Sequence, residues 1–104
     1  MIGMLGFRIH PEADAEAIAA ANHIKSDDSY QGELFKFALE EAIQWARDEP
    51  LIYRRFHGEA RRVFLGRFRY ALVFRIEGDE IQILAVMHTS RKPGYWRNRL
   101  RNQE

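Results

Sequence analysis

The chain contains no cysteine and only three prolines among its 104 residues. The absence of cysteine excludes disulfides and thiolate chemistry, and it fits a reducing cytoplasm. No apolar run approaches the roughly 20 residues that span a bilayer. Gly3, Gly6 and Arg8 interrupt the N-terminal segment, which therefore lacks the apolar core of a signal peptide. We expect a cytoplasmic protein without membrane contact, folded as a single domain over residues 1–104.

The sequence also lacks the spacings that hold common cofactors. Its glycines are scattered without the spacing of a phosphate-binding loop. His10, His23 and His57 do not form a pair at the helical or close-loop spacing that zinc ligands adopt. We therefore expect no cofactor, no nucleotide and no metal site.

Charge is distributed unevenly along the chain, although the net charge is only +1. Residues 1–52 hold 4 Lys/Arg and 10 Asp/Glu, so 4 − 10 = −6, whereas residues 53–104 hold 12 and 5, so 12 − 5 = +7. Arginine accounts for 11 of the 12 cations in the basic half, and its fork suits phosphate or carboxylate. The asymmetry indicates either internal complementarity between layers or a basic face for nucleic acid or an acidic protein segment.

Two helices are predicted in the acidic half. Pro11 favours a helix start, and the first helix is expected to run to about Lys25 with Ile18 on its apolar stripe. A turn over residues 26–29 leads to a second helix over residues 31–48. Its stripe of small and apolar side chains is widened by Trp45, and Pro50 ends it.

Strands are predicted wherever the apolar period changes to two. They cover residues 4–10, 61–65, 70–76 and 80–88, and Gly78-Asp79 is a hairpin turn. In the last strand, alternation places Ile81, Ile83, Ala85 and Met87 on one face. The tail over residues 93–104 is compatible with a short basic helix carrying Arg97, Arg99 and Arg101. The fold class is α+β, with a β-α-α-β-β-β order and a helical hairpin packed on a small, curved, antiparallel-rich sheet.

The end of the last predicted strand delivers polar and aromatic groups to one sheet edge. His88 is followed by Arg91, Lys92, Tyr95 and Trp96, a combination that suits chemistry or a contact surface. Simpler structural interpretations also exist. His88 could bond a neighbouring backbone group, Arg91 could anchor the tail to an acidic helix residue, and Tyr95 and Trp96 could cap the apolar face that the helices leave.

Several phrases occur in the order found in one known family. They are FRIHPEA (7–13), GELF (32–35), LEEAI (39–43), RRVFLGRFRY (61–70) and ILAVMHTSRKPGYW (83–96). This set resembles the RelE/ParE superfamily of type II toxin–antitoxin toxins, also called plasmid stabilisation proteins. The resemblance is strongest to the ParE-like branch, in which the last strand ends in His-x-x-Arg-x-Pro before an aromatic residue. Arg69 stands where the branch usually has proline, and Asn22-His23 stands near its usual Trp-Tyr pair.

The resemblance implies a toxin that is neutralised by a cognate antitoxin, with a toxin–antitoxin hetero-oligomer as the expected assembly. ParE-like members poison DNA gyrase without being enzymes, whereas RelE-like members cut mRNA on the ribosome. Because this fold supports both actions, the site residues must distinguish them. A ribonuclease would need a base, an acid and a cation on the phosphate. The candidates for proton transfer are His88 and, only if neighbouring arginines lowered its pKa, Tyr95. Arg62 and Arg91 are the candidates for holding the phosphate.

The basic half carries only one lysine and no evident acid–base partner for His88. Since RelE-like nucleases carry lysines and arginines crowded on the sheet face, the resemblance favours a toxin that binds gyrase or is otherwise non-catalytic over the ribonuclease alternative. The predicted target-binding residues are Arg69, His88, Arg91, Tyr95 and Trp96. The predicted antitoxin-binding residues are Phe37, Arg61, Arg67 and Arg75.

Overall fold

The computed structural model describes residues 4–103, with side chains described as far as Leu100. The strands are β1 (Gly6–Ile9), β2 (Arg55–His57), β3 (Ala60–Phe64), β4 (Tyr70–Glu77) and β5 (Glu80–His88), and the helices are α1 (Pro11–Asp27) and α2 (Ser29–Asp48). Two 3₁₀ helices cover Pro50–Ile52 and Arg97–Gln103. The predicted tail helix is thus present as a 3₁₀ helix, while its last residue, Glu104, and the side chain of Arg101 lie outside the described part.

The five strands form one open, mixed sheet in the order β1-β5-β4-β3-β2. β1 runs parallel to β5, and the other three pairings are antiparallel. This confirms the predicted α+β class with a helical hairpin on an antiparallel-rich sheet. The edge strand β2 was not predicted, because its three residues, Arg-Phe-His, are too short and too polar to show alternation. The hairpin turn is correct: Glu77 pairs with Glu80, and Gly78 adopts a φ of +64°.

Helix α1 begins where the sequence predicts, at Pro11. The side chain of His10 caps it by accepting a hydrogen bond from the Glu12 N–H through Nδ1, at 3.0 Å. Its buried residues are alanines, which let the helix approach the sheet closely. Ile18, which was predicted on the apolar stripe, is 56% exposed because the alanine face turns it away from the sheet.

The turn between the helices is a single residue rather than the predicted four. The N–H of Asp28 donates to the Ile24 carbonyl at the end of α1. Its carboxylate accepts from Tyr30 N–H and thereby caps α2. Such a short joint forces close packing: a Cβ on Gly32 would lie 2.8 Å from Cβ of Lys25. Trp45 is half exposed, since α2 turns it outward.

The sheet buries two apolar clusters, one on each face. The helix-covered face includes Phe35, Val63, Leu72, Phe74, Ile81, Ile83 and Val86. The other face, which the C-terminal tail covers, includes Ala60, Val73, Leu84, Ala85, Met87 and Trp96. Ala85 and Met87 therefore lie opposite Ile81 and Ile83, and the predicted alternation is wrong in the second half of β5.

A β-bulge in β5 explains this difference. Val73 of β4 pairs with Ala85, while the next residue, Phe74, pairs with Ile83, so that Leu84 is an extra residue. Leu84 and Ala85, although consecutive, both belong to the tail-covered cluster. Because the side-chain period is two, one inserted residue turns all later side chains of the strand to the other face.

Candidate functional site

The bulge decides which way His88 points. Beyond it, Val86 joins the helix-covered cluster, and His88 follows on the same face. His88 pairs with Tyr70 of β4, and their rings meet edge to face with centroids 5.0 Å apart. Without the extra residue, His88 would face the tail side, so the bulge creates the site.

The imidazole of His88 is held by its own loop. Nδ1 accepts a hydrogen bond from the Ser90 N–H at 3.1 Å and also lies 2.8 Å from Ser90 Oγ. Since a backbone N–H can only donate, the neutral ring carries its proton on Nε2. His88 therefore offers a donor to a partner, and its contact with a neighbouring backbone group agrees with the simpler structural interpretation.

Arg91 and Tyr95 form a stacked pair beside His88. The guanidinium carbon of Arg91 lies 3.6 Å from the centroid of the Tyr95 ring, and the Arg91 side chain is 53% exposed. The Tyr95 hydroxyl donates to Oε2 of Glu16 on α1 at 2.8 Å. Arg91 itself is 3.9 Å from the same carboxylate, so it is only loosely paired.

The pKa of Tyr95 is shifted in the direction opposite to the one that catalysis would require. Burial raises it, and the hydrogen bond to Glu16 and the charge of that carboxylate raise it further. The nearby charges of Arg91 and Arg99 act in the lowering direction but do not prevail. The condition on which Tyr95 could serve as a proton-transfer group, a pKa lowered by arginines, is therefore not met.

Glu16 is the centre of the polar network beneath this pair. Its carboxylate accepts from the Val86 N–H at 3.0 Å and from the Tyr95 hydroxyl. It also accepts two parallel bonds from the Arg99 guanidinium, both at 2.9 Å. Arg99 is 5% exposed, so its charge depends on this forked pairing.

These side chains border a cleft of about 290 Å³ between the second half of α1 and the end of β5. Its lining is Glu16, Ala19, Ala20, His23, Tyr70, Val86, His88, Arg91 and Tyr95. A second depression of about 390 Å³ shares Tyr70, His23 and His88 with it and adds Arg67 and Arg69. The structure thus brings four predicted target-binding residues, Arg69, His88, Arg91 and Tyr95, to one side of the molecule.

Trp96, the fifth of them, is not on this surface. It is fully buried, and its ring packs against Phe56 and His57 at centroid distances of 5.9 and 5.4 Å. Gly94, two residues before Trp96, permits this contact, with a φ of +95° and no room for a Cβ beside the His57 imidazole. The prediction for Trp96 is wrong because an indole of this size is more stable in the tail-covered core than in water.

Arg62, a candidate for the ribonuclease team, lies on the other face of the sheet from His88. It pairs with Val73 of the tail-covered cluster. Its guanidinium stacks on Phe56 and Phe64, 4.2 and 4.9 Å from the ring centroids. The predicted catalytic set is therefore divided between two faces.

The four predicted antitoxin-binding residues do not form one patch. Phe37 is 57% exposed on the outer surface of α2. The three arginines have partners within the chain. Arg61 donates to the Tyr53 carbonyl, Arg67 to the Gln31 side chain, and Arg75 to the Gln82 side chain.

Glu16 and Arg99 are the residues that sequence reasoning missed as site components. A signal for Glu16 exists, since it lies between Ala13 and Ala20 at helical spacing and therefore on the buried stripe. Nothing local distinguishes Arg99 from Arg97, its exposed neighbour in the tail.

Two properties of the described residues bear on other functions. Among residues 4–103, no helix combines the length and the apolar character needed to cross a membrane. Over the same range, no group of three or more His, Asp or Glu side chains converges in a way that could hold a metal ion.

Comparison with known proteins identifies one family. The model of a family described as the ParE toxin of the type II toxin–antitoxin system parDE matches residues 7–93. A solved structure titled as the chromosomal ParDE TA system from P. aeruginosa has a chain that is 19% identical, with a TM-score of 0.71. The match covers 82% of this chain and 96% of that one, and at this identity it supports the fold alone. No curated protein matches the sequence.

Proposed function

We propose, since this chain belongs to the ParE toxin family of type II toxin–antitoxin systems, that it inhibits growth by binding a cellular target. DNA gyrase is the target we favour, and a cognate antitoxin neutralises the protein by binding it. The cytoplasm is where this toxin meets both partners.

The observation that supports a binding mode is the stacked pair beside His88. Arg91 presents a half-exposed guanidinium on the Tyr95 ring, and His88 presents its Nε2–H beside it. Arginine and tyrosine are enriched among the residues that dominate protein–protein binding energy. Together they suit an acidic or polar surface of a protein partner.

The same geometry is unfavourable for RNA cleavage. A base for the 2′-hydroxyl needs a free lone pair at the site. Nδ1 of His88 is occupied by Ser90 N–H, Tyr95 donates to Glu16, and Arg62 is on the opposite face of the sheet. The ribonuclease alternative would require a rearrangement of all three.

The antitoxin contact that we propose includes the outer surface of α2. Phe37 and Trp45 are both about half exposed there, and they border a depression with Glu40, Glu41 and Gln44. Neighbouring exposed aromatic side chains commonly mark protein contacts. Arg61, Arg67 and Arg75 would contribute to antitoxin binding only if they exchanged their hydrogen bonds within the chain for hydrogen bonds to the antitoxin.

Two assays on the purified protein test this function. Added to purified bacterial DNA gyrase, the protein should inhibit supercoiling of relaxed plasmid. Added to a reconstituted translation system, it should leave the mRNA intact. Ribosome-dependent mRNA cleavage with normal supercoiling would contradict the proposal and establish the RelE-type alternative. The cognate antitoxin should relieve the inhibition of supercoiling.

A further inference from the structure

On one of its two edges, β5 loses its strand partner β1 halfway along its length, while the pairing with β4 continues to His88. β1 pairs with β5 only as far as Ile9 and Ile83, and the His10 N–H then donates to the Ile83 carbonyl. At His10 the chain turns into α1. Backbone groups of β5 beyond this point need other partners, because an unpaired buried peptide group is costly.

Side chains of α1 and the tail supply those partners. The Leu84 carbonyl accepts from the guanidinium of Arg99 at 2.9 Å. The Val86 N–H donates to the carboxylate of Glu16 at 3.0 Å. These two backbone groups flank Ala85, at the bulge that turns His88 toward the cleft. The Glu16–Arg99 pair therefore replaces a neighbouring strand at the residues that set the direction of His88.

The same pair determines whether the guanidinium of Arg91 stays exposed at the cleft or is drawn onto Glu16. Arg99 makes the close, forked contact with Glu16, whereas Arg91 stays at 3.9 Å and 53% exposed. Burial alone would lower the pKa of Arg99, but its hydrogen bonds to Glu16 and the carboxylate charge raise it above the usual value. Arg99 thus stays charged and compensates Glu16 from inside the protein.

We propose that Glu16 and Arg99 are positioning residues for the target-binding surface. They fix the bulge that aims His88, and they keep Arg91 available by satisfying Glu16 without it. This inference rests on the function proposed above for the His88–Arg91–Tyr95 surface, and neither residue of the pair needs to touch the target itself. If Arg99 is removed, Arg91 is the nearest remaining cation to Glu16 at the cleft and should move onto it.

The test compares Arg99→Gln with Arg97→Gln, an exposed neighbour on the same 3₁₀ helix. Two NMR signals report the geometry: proton exchange at Nε–H of Arg91, and the cross-peaks between the rings of His88 and Tyr70. In Arg99→Gln we expect slower Arg91 exchange, weaker ring cross-peaks, and inhibition of gyrase supercoiling that is about tenfold weaker, as for loss of one interface arginine. Arg97→Gln should match the wild type in all three.

The double variant Glu16→Gln/Arg99→Gln separates the two roles. The double variant removes the carboxylate that lies 3.9 Å from Arg91, so the exchange of Arg91 should return to the wild-type rate. The bulge still lacks the hydrogen bonds with Glu16 and Arg99, so the His88–Tyr70 cross-peaks should stay weak. Inhibition should therefore recover only in part. Such a split would not follow from a general loss of stability.

The proposal is wrong if folded Arg99→Gln keeps both NMR signals of the wild type. If Arg99→Gln does not fold, Arg99→Lys keeps the charge without the fork, and both signals should move in the same direction by a smaller amount. Unchanged signals in that variant would equally overturn it. If the signals move but inhibition stays at the wild-type level, the positioning role holds and the target-binding function of this surface fails instead.

Discussion

The two halves of β5 differ in what holds them. From Glu80 to Ile83 the strand lies between β1 and β4 and follows a regular two-residue alternation. From Leu84 to His88 it has lost β1 and contains a bulge, and side chains of α1 and the tail replace the missing strand. Both halves bury side chains in the core, but the irregular half also presents His88 to the cleft. In this molecule the candidate site begins where regular strand pairing ends.

The arginines next to each half show the same contrast. Arg8 pairs with Glu80 at 2.7 Å and with Glu77 at 3.0 Å beside the regular half, but all three side chains are substantially exposed. Arg99 pairs with Glu16 beside the irregular half, where only 7% of its side chain is exposed. Solvent screens the first network and not the second.

Replacing these arginines should give the largest difference in stability between the two halves of β5. Arg99→Met leaves Glu16 without its close partner in a largely buried site, and we expect it to lower the free energy of unfolding by about 3–5 kcal/mol. Arg8→Met should cost less than about 1 kcal/mol, since exposed ion pairs contribute little. Urea unfolding followed by circular dichroism measures both. Equal losses would show that the Glu16–Arg99 pair is no more important than a surface pair.

A smaller effect is expected at the turn that leads the tail away from β5. Gly94 has a φ of +95°, and a Cβ there would lie 2.6 Å from Nε2 of His57. Gly94→Ala should therefore cost about 2–4 kcal/mol, from backbone strain and from the displaced imidazole. Gly58 is the matched control, with a φ of +59° and nothing within 4 Å of its added Cβ.

Gly58→Ala should cost only about 1 kcal/mol, the usual penalty for a left-handed alanine. Thermal melts of the two variants give the comparison. A loss at Gly94 no larger than the loss at Gly58 would mean that the packing of the tail against His57 contributes nothing.

The smallest effect on stability is a pH dependence to which Tyr95, beside the irregular half, contributes. Burial and Glu16 raise the pKa of Tyr95 above the ordinary value of 10.0. Above about pH 10 the unfolded phenol loses its proton while the folded one keeps it, so the stabilisation present at lower pH declines as the pH rises. In Tyr95→Phe this decline should be shallower, and urea midpoints from pH 8 to 11 would detect it.

The exposed Tyr30→Phe serves as the control for that series and should reproduce the slope of the wild type. The pKa of Tyr53 is also raised, by burial and by Glu49, so Tyr95→Phe should remove only part of the decline. An unchanged slope in Tyr95→Phe would indicate that the hydroxyl of Tyr95 is not held by Glu16.

The spacing of apolar residues and the prolines that start or end helices were sufficient to predict α1, α2 and four of the five strands. Pro11 marked a helix start, and β5 was predicted with its observed bounds. The direction of its second half could not be predicted, since an inserted residue is defined by its pairing with Val73 and Phe74 and leaves no local pattern. An error in the face of the sheet to which side chains point matters most where a strand carries a functional side chain.

The site was predictable only in part for a related reason. His88, Arg91 and Tyr95 follow one another closely, so the sequence alone suggested that they act together. Glu16 and Arg99 are 83 residues apart, and only the folded chain brings them into contact. Trp96 was misplaced because adjacent tail residues point in different directions once Gly94 turns the chain.

The most direct test compares an arginine that borders the cleft with an arginine of the edge strand β2. Arg91 borders the cleft, whereas Arg55 is an exposed residue of β2. We expect Arg91→Ala to weaken inhibition of gyrase supercoiling by about tenfold or more, and Arg55→Ala to stay within about twofold of the wild type. Full inhibition by Arg91→Ala, with loss of inhibition by Arg55→Ala, would contradict this expectation.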